Sequence, residues 1–196
     1  MAGMMRWMTL CVVMMVAACA GPPEQVVRSP GGGIDGVYSQ SDRGPAARMI
    51  PPGAQGRLIA DYLLVDKSDR LLVAYRDGRA IRAYRNIQFG DAPQGHKQFE
   101  GDERTPEGIY TIDWRNPQSR YHLSLRISYP NSADRAFAAR FGRSPGGNIF
   151  IHGQPNALPA GRIPGDWTDG CIALSNAEME ELWQIVPDGT PIEIRP

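Results

Sequence analysis

Cysteine and histidine are both scarce in this chain, three of each among 196 residues. That scarcity excludes a disulfide-stapled scaffold. The paired ligand spacings of structural zinc, C-x2-C or H-x3-H, are also missing. Neither sign of charge is in surplus, since 21 Lys and Arg balance 21 Asp and Glu. A broad basic face for nucleic acid and a long acidic tail are therefore both ruled out. The Gly-rich stretches lack the lysine and the context of a phosphate loop, and no internal repeat is apparent. The apolar run Leu10 to Val16 is too short for a comfortable membrane span.

That run instead fits a targeting signal over residues 1–19, with Arg6 as its positive n-region and small residues after it. Val16-Ala17-Ala18-Cys19 resembles a bacterial lipobox, in which the cysteine is lipidated and becomes the mature N-terminus. Ala18-Cys19-Ala20 alternatively offers an A-x-A site for ordinary signal peptidase. The lipobox is preferred because Cys19 lies directly at the end of the apolar run. Either way the expected location is the periplasm, with a membrane anchor through Cys19 or none. Ala20, where inner-membrane retention uses aspartate in enteric bacteria, leans toward the outer membrane.

Residues 20–56 carry Pro22-Pro23, Gly31-Gly32-Gly33 and Pro51-Pro52 with little apolar periodicity, and read as a flexible tether. The folded domain is expected over residues 57–196. Strand-like runs are Tyr62–Val65, Arg70–Tyr75, Arg79–Ile87, Ile109–Trp114, Tyr121–Tyr129, Asn148–Ile151 and Pro191–Ile194. Asp77-Gly78 reads as a hairpin turn. A short helix is expected over Asp134–Phe141, capped by Asn131 or Ser132 and broken by Gly146-Gly147. Ser175 and Glu178 form a capping box, followed by a stripe of Met179, Leu182, Trp183 and Val186 at helical spacing. Many short strands with few helices predict a mainly β sandwich or barrel-like domain.

Cysteine arithmetic then isolates one thiol. Cys11 leaves with the signal and Cys19 would carry lipid, so Cys171 has no disulfide partner in the mature chain. Free cysteine often serves as a small buried hydrophobe. Catalysis requires a thiolate, hence a base or a lowered pKa. His152 ends an apolar strand and is followed by Gly153. His122 lies within another strand, and His96 lies in the polar loop Gln94-Gly95-His96-Lys97. A tight turn at Gly170 can aim the Gly170 and Cys171 amides at one point, as an oxyanion hole does; Asp169-Gly170 can equally be only a turn pair.

His152-Gly153 followed by Thr168-Asp169-Gly170-Cys171 resembles the active-site signature of the YkuD-type L,D-transpeptidases. The resemblance covers about Asp61 to Ile194, including Thr105-Pro106-Glu107-Gly108 and Asp188-Gly189-Thr190-Pro191. The Thr-Asp-Gly-Cys form is similar to the murein L,D-transpeptidase-related branch. It implies an L,D-transpeptidase-like β-sandwich that acts on peptidoglycan stem peptides without cofactor or metal. By that resemblance Cys171 is the nucleophile, His152 the general base and acid, and the Gly153 carbonyl orients the imidazole. The reaction implied is thioester formation with release of D-alanine, then transfer to an amine of a neighbouring stem or of a wall-linked lipoprotein. Two alternatives remain: a hydrolase using water as acceptor, and a non-catalytic wall-binding lipoprotein. Many members carry histidine where this chain has Asp169, and arginine or asparagine where it has Ala173. Thr168, Asp169 and Arg162 are therefore candidate substrate contacts. Arg162, or His96, Lys97 and Arg104 from another loop, are candidates to supply the missing positive charge.

Overall fold

The computed structural model describes residues 58–158 and 160–196. The expected signal segment, the lipidation site Cys19 and the tether lie outside the described residues. Eight strands and two helices follow in order: β1 Tyr62–Asp66, β2 Leu71–Arg76, β3 Arg79–Arg85, β4 Gly108–Ser119, β5 His122–Ile127, α1 Ser132–Ala139, β6 Phe150–His152, β7 Ile172–Ala173, α2 Asn176–Ile185 and β8 Thr190–Arg195. The mainly β class with a few short helices is thus present.

Alternation builds the sheet. In β1 Leu63 and Val65 are fully buried while their neighbours are not, the period-two signature of a half-buried strand. All eight strands form one sheet in the order β3-β2-β1-β8-β4-β5-β6-β7. β8 runs parallel to β1 and antiparallel to β4, so the last strand of the chain lies in the middle. Asp77 and Gly78, with φ of 49° and 73°, join β2 to β3. Two such residues give a turn whose twist matches that of the strands.

The two ends of the sheet meet. Gln88, just after β3, exchanges backbone hydrogen bonds of 3.0 and 2.8 Å with Ala173 of β7, and Gly90 bridges Thr168. The sheet therefore curls into a half-barrel. Its interior is filled by Leu72, Ile112, Leu125, Ile151 and Ile192. The α2 stripe adds Met179, Leu182 and Val186 to that core, with Trp183 packed at its margin and Ile185 buried beside them.

Both helices start at capping boxes. Ser175 and Glu178 cap α2 reciprocally. For α1 the cap is Asn131, whose side chain accepts from Ala133 and Asp134 while Asp134 accepts from the Asn131 amide. The helix consequently starts and ends two residues before the expected Asp134–Phe141. It stops ahead of Gly142, at φ 62°, and not at Gly146-Gly147. β6 likewise begins after Asn148, whose φ of 56° is incompatible with a strand.

Candidate active site

The parallel pairing of β6 and β7 sets Ile151 beside Ile172 and His152 beside Ala173. Cys171, one residue before β7, consequently lies next to Phe150. The Phe150 amide donates to its Sγ at 3.4 Å, and the thiol faces the Asn148 carbonyl at 3.6 Å. Cys171 and His152 both line one cleft of about 940 Å³. The imidazole is nearly fully buried, and the thiol is half-buried.

His152 is held by its backbone and by aromatic rings. Its Nδ1 lies 2.7 Å from the Gly153 carbonyl. A carbonyl only accepts, so Nδ1 carries the proton and Nε2 keeps a free lone pair. Tyr121 stacks on the ring at 4.6 Å between centroids, and Trp167 meets it edge-on at 5.6 Å. Burial pushes the imidazole down to about 4, against the opposing effect of the Gly153 carbonyl. Burial pushes the Cys171 thiol up to about 11. The Phe150 amide opposes that shift, Asp169 adds to it, and Lys97 opposes it more weakly. Both shifts leave a neutral thiol and a neutral imidazole near pH 7.

The turn before Cys171 is fixed by Thr168. Its hydroxyl donates to the Cys171 carbonyl at 2.8 Å and accepts the Gly170 amide at 3.3 Å. Gly170 has φ 113°, and a Cβ there would strike the Arg104 carbonyl. A side chain at Gly153 would meet Asn176 Oδ1 at 2.6 Å, which keeps that position small for the close packing around it. Charged groups of both signs line the cleft: Lys97 and Arg120 against Glu100, Glu103 and Asp169. Lys97 is 3% exposed and donates to Asp102 at 2.8 Å and to the Phe99 carbonyl at 3.1 Å.

Residues 60–194 match the family model of the YkuD L,D-transpeptidase catalytic domain. The chain belongs to this family. Among proteins similar to this L,D-transpeptidase-family domain, YafK of Escherichia coli (strain K12) is 29% identical over 132 residues, covering 64% of this chain and 46% of YafK. The helical cell shape determining protein Pgp2 from Campylobacter jejuni is 29% identical with a TM-score of 0.53, covering 79% of this chain and 53% of Pgp2. Its K307A mutant gives 30% and 0.55, covering 71% and 48%. The chain thus spans about half the length of these relatives.

Several expected substrate contacts of this family domain lie elsewhere. Arg162 is tied to Glu178 at the start of α2 and to the Asn86 carbonyl, and it does not line the cleft. His96 is bound between Asp134, at 3.1 Å, and the Glu107 amide, at 2.9 Å, anchoring its loop to α1. Neither Arg104 nor the fully buried Ala173 is on the cleft wall. Asp169 is exposed on that wall, while Thr168 is buried and braces the turn. Sequence reasoning missed Tyr121, Trp167 and Asn176. Trp167 directly precedes the motif, which is a usable signal; Tyr121 and Asn176 have no local one.

Proposed function

We propose that this domain is a cysteine-dependent L,D-transpeptidase acting on peptidoglycan stem peptides. The observation that carries the proposal is the tautomer of His152, whose Nδ1–H is committed to Gly153 so that Nε2 is left as a base in the cleft that also holds the thiol. With both groups neutral at rest, the proton leaves sulfur as the C–S bond forms. Cys171 attacks the carbonyl that precedes the terminal D-alanine, His152 takes the thiol proton, and the C–N bond breaks. The imidazolium then protonates the departing amine, leaving a thioester. To stabilise the oxyanion, the Gly170 amide must be drawn from Thr168, at 3.3 Å the longer of that hydroxyl's two bonds.

An amine acceptor is favoured by the carboxylates of Glu100, Glu103 and Asp169, which line the cleft and suit an ammonium group. His152, neutral again, removes its proton as it attacks the thioester. The reaction would take place in the periplasm, with Cys19 as the lipid anchor. Incubation with purified tetrapeptide-rich peptidoglycan followed by muropeptide analysis tests the reading. A covalent acyl adduct on Cys171 and 3–3 dimers are expected. Shortened monomers alone would replace transfer by hydrolysis, and full activity in Cys171→Ala would overturn both.

A further inference from the structure

Tyr121 grips His152 twice. Its ring lies against the imidazole face at 4.6 Å with an interplanar angle of 28°. Its backbone carbonyl accepts the Gly153 amide at 3.0 Å. That second contact, which the Gly153 amide shares with the Leu123 carbonyl at 3.2 Å, ties down the residue whose own carbonyl accepts Nδ1–H at 2.7 Å. Trp167 closes the arrangement, 5.7 Å from Tyr121 and 5.6 Å from His152. The imidazole thus has an in-plane partner on one nitrogen and aromatic rings beside its face and edge. Rotation about its terminal torsion, normally broad, would break the Nδ1 bond and the stack together.

We propose that Tyr121 is the positioning residue for His152, holding the ring so that Nε2 presents its lone pair to the cleft in a single tautomer. The inference deepens the transpeptidase reading and rests on it for the use made of that lone pair. The phenol hydroxyl is not needed for it, because both contacts come from the ring and the main chain. A phenylalanine should serve equally well. An aliphatic side chain of similar bulk keeps the carbonyl contact and loses the flat face.

The surroundings define what the readout must separate. Around the cleft the titratable and charged groups are Cys171 and Asp169 before β7, Arg120 and Tyr121 between β4 and β5, and Lys97, Glu100 and Glu103 from the facing loop. None of these forms a hydrogen bond to the imidazole among the described residues. The low affinity of His152 for a proton comes from burial, offset by Gly153. Removing the stacked ring admits water to one face, so the pKa rises toward the ordinary histidine value.

Imidazole nitrogen NMR of the full protein, titrated from pH 3 to pH 8, tests this in wild type, Tyr121→Phe and Tyr121→Leu. Wild type and Tyr121→Phe are expected to keep the Nδ1–H tautomer and to titrate near pH 4. Tyr121→Leu is expected to show mixed tautomers, a pKa raised by at least one pH unit, and a kcat about tenfold lower with KM little changed. The same tautomer and titration in Tyr121→Leu as in wild type would overturn the proposal, and so would loss of both in Tyr121→Phe. Should Tyr121→Leu fail to fold, Tyr121→Phe still decides through its tautomer, and Tyr121→Met supplies the aliphatic arm. If wild type proves inert toward stem peptides, the transpeptidase reading fails while the NMR result still stands on its own.

Discussion

Protonating His152 should destabilise this domain, and the size of the effect follows from its burial. The native imidazole resists a proton down to about pH 4, whereas the ordinary value is 6.5. Between those values the unfolded chain binds a proton that the native chain refuses. Stability is therefore complete above pH 6.5 and falls as pH drops toward 4. At about 1.36 kcal/mol per pH unit, the 2.5-unit window gives a loss of about 3 kcal/mol, a sizeable share of a domain's usual margin. Urea denaturation followed by tryptophan fluorescence at pH 7, 5.5 and 4 would measure it, with His152→Gln as the reference that cannot titrate. Carboxylates that also titrate here are common to both proteins and cancel. The stability difference between them should shrink by about 3 kcal/mol from pH 7 to pH 4. A difference that stays constant would show that His152 is protonated as easily in the native state as in the unfolded one.

Other perturbations probe the same site. Alkylation of Cys171 by iodoacetamide, followed by peptide-resolved mass spectrometry, should keep accelerating with pH toward about 11; a plateau near 9 would contradict the burial argument. Gly153→Ala drives a methyl against Asn176 Oδ1, His122 Cβ and the Tyr121 carbonyl. It should cost about 1–3 kcal/mol in thermal unfolding and lower acylation more than stability alone accounts for. Thr168→Val keeps the shape and removes the hydroxyl that braces the Cys171 carbonyl. A loss of about 1–3 kcal/mol is expected, and an unchanged melting temperature would show that the turn holds without it.

Much of this architecture could be read from local pattern. The capping box at Ser175 and Glu178, the α2 stripe and the Asp77-Gly78 hairpin are short-range signals, and all appear where the residues place them. Asn131 capped α1 as expected, although the helix begins directly after it, and the boundary of β6 shifted where Asn148 overruled the strand pattern. Cys171 and His152 could be paired because a family signature spans them. The stack of Tyr121 on His152 could not, since it depends on β5 and β6 being neighbours, which no local periodicity encodes. Arg162 illustrates the converse error: a free-looking guanidinium in a loop is engaged by Glu178 and the Asn86 carbonyl.

The meeting of the sheet's two ends has a consequence for folding. Gln88 and Ala173, distant in the chain, exchange two backbone bonds, and Gly90 is so close to the cysteine turn that a Cβ would lie 2.9 Å from the Gly170 nitrogen. Such long-range contacts form only after much of the chain is ordered, so the cysteine turn is assembled only when the half-barrel closes. A partly folded chain would carry the thiol without its machinery, and catalytic competence would behave as a cooperative, late-appearing property. Amide exchange at Gln88 and Ala173 should accordingly rise in step with the loss of Cys171 acylation as denaturant is added.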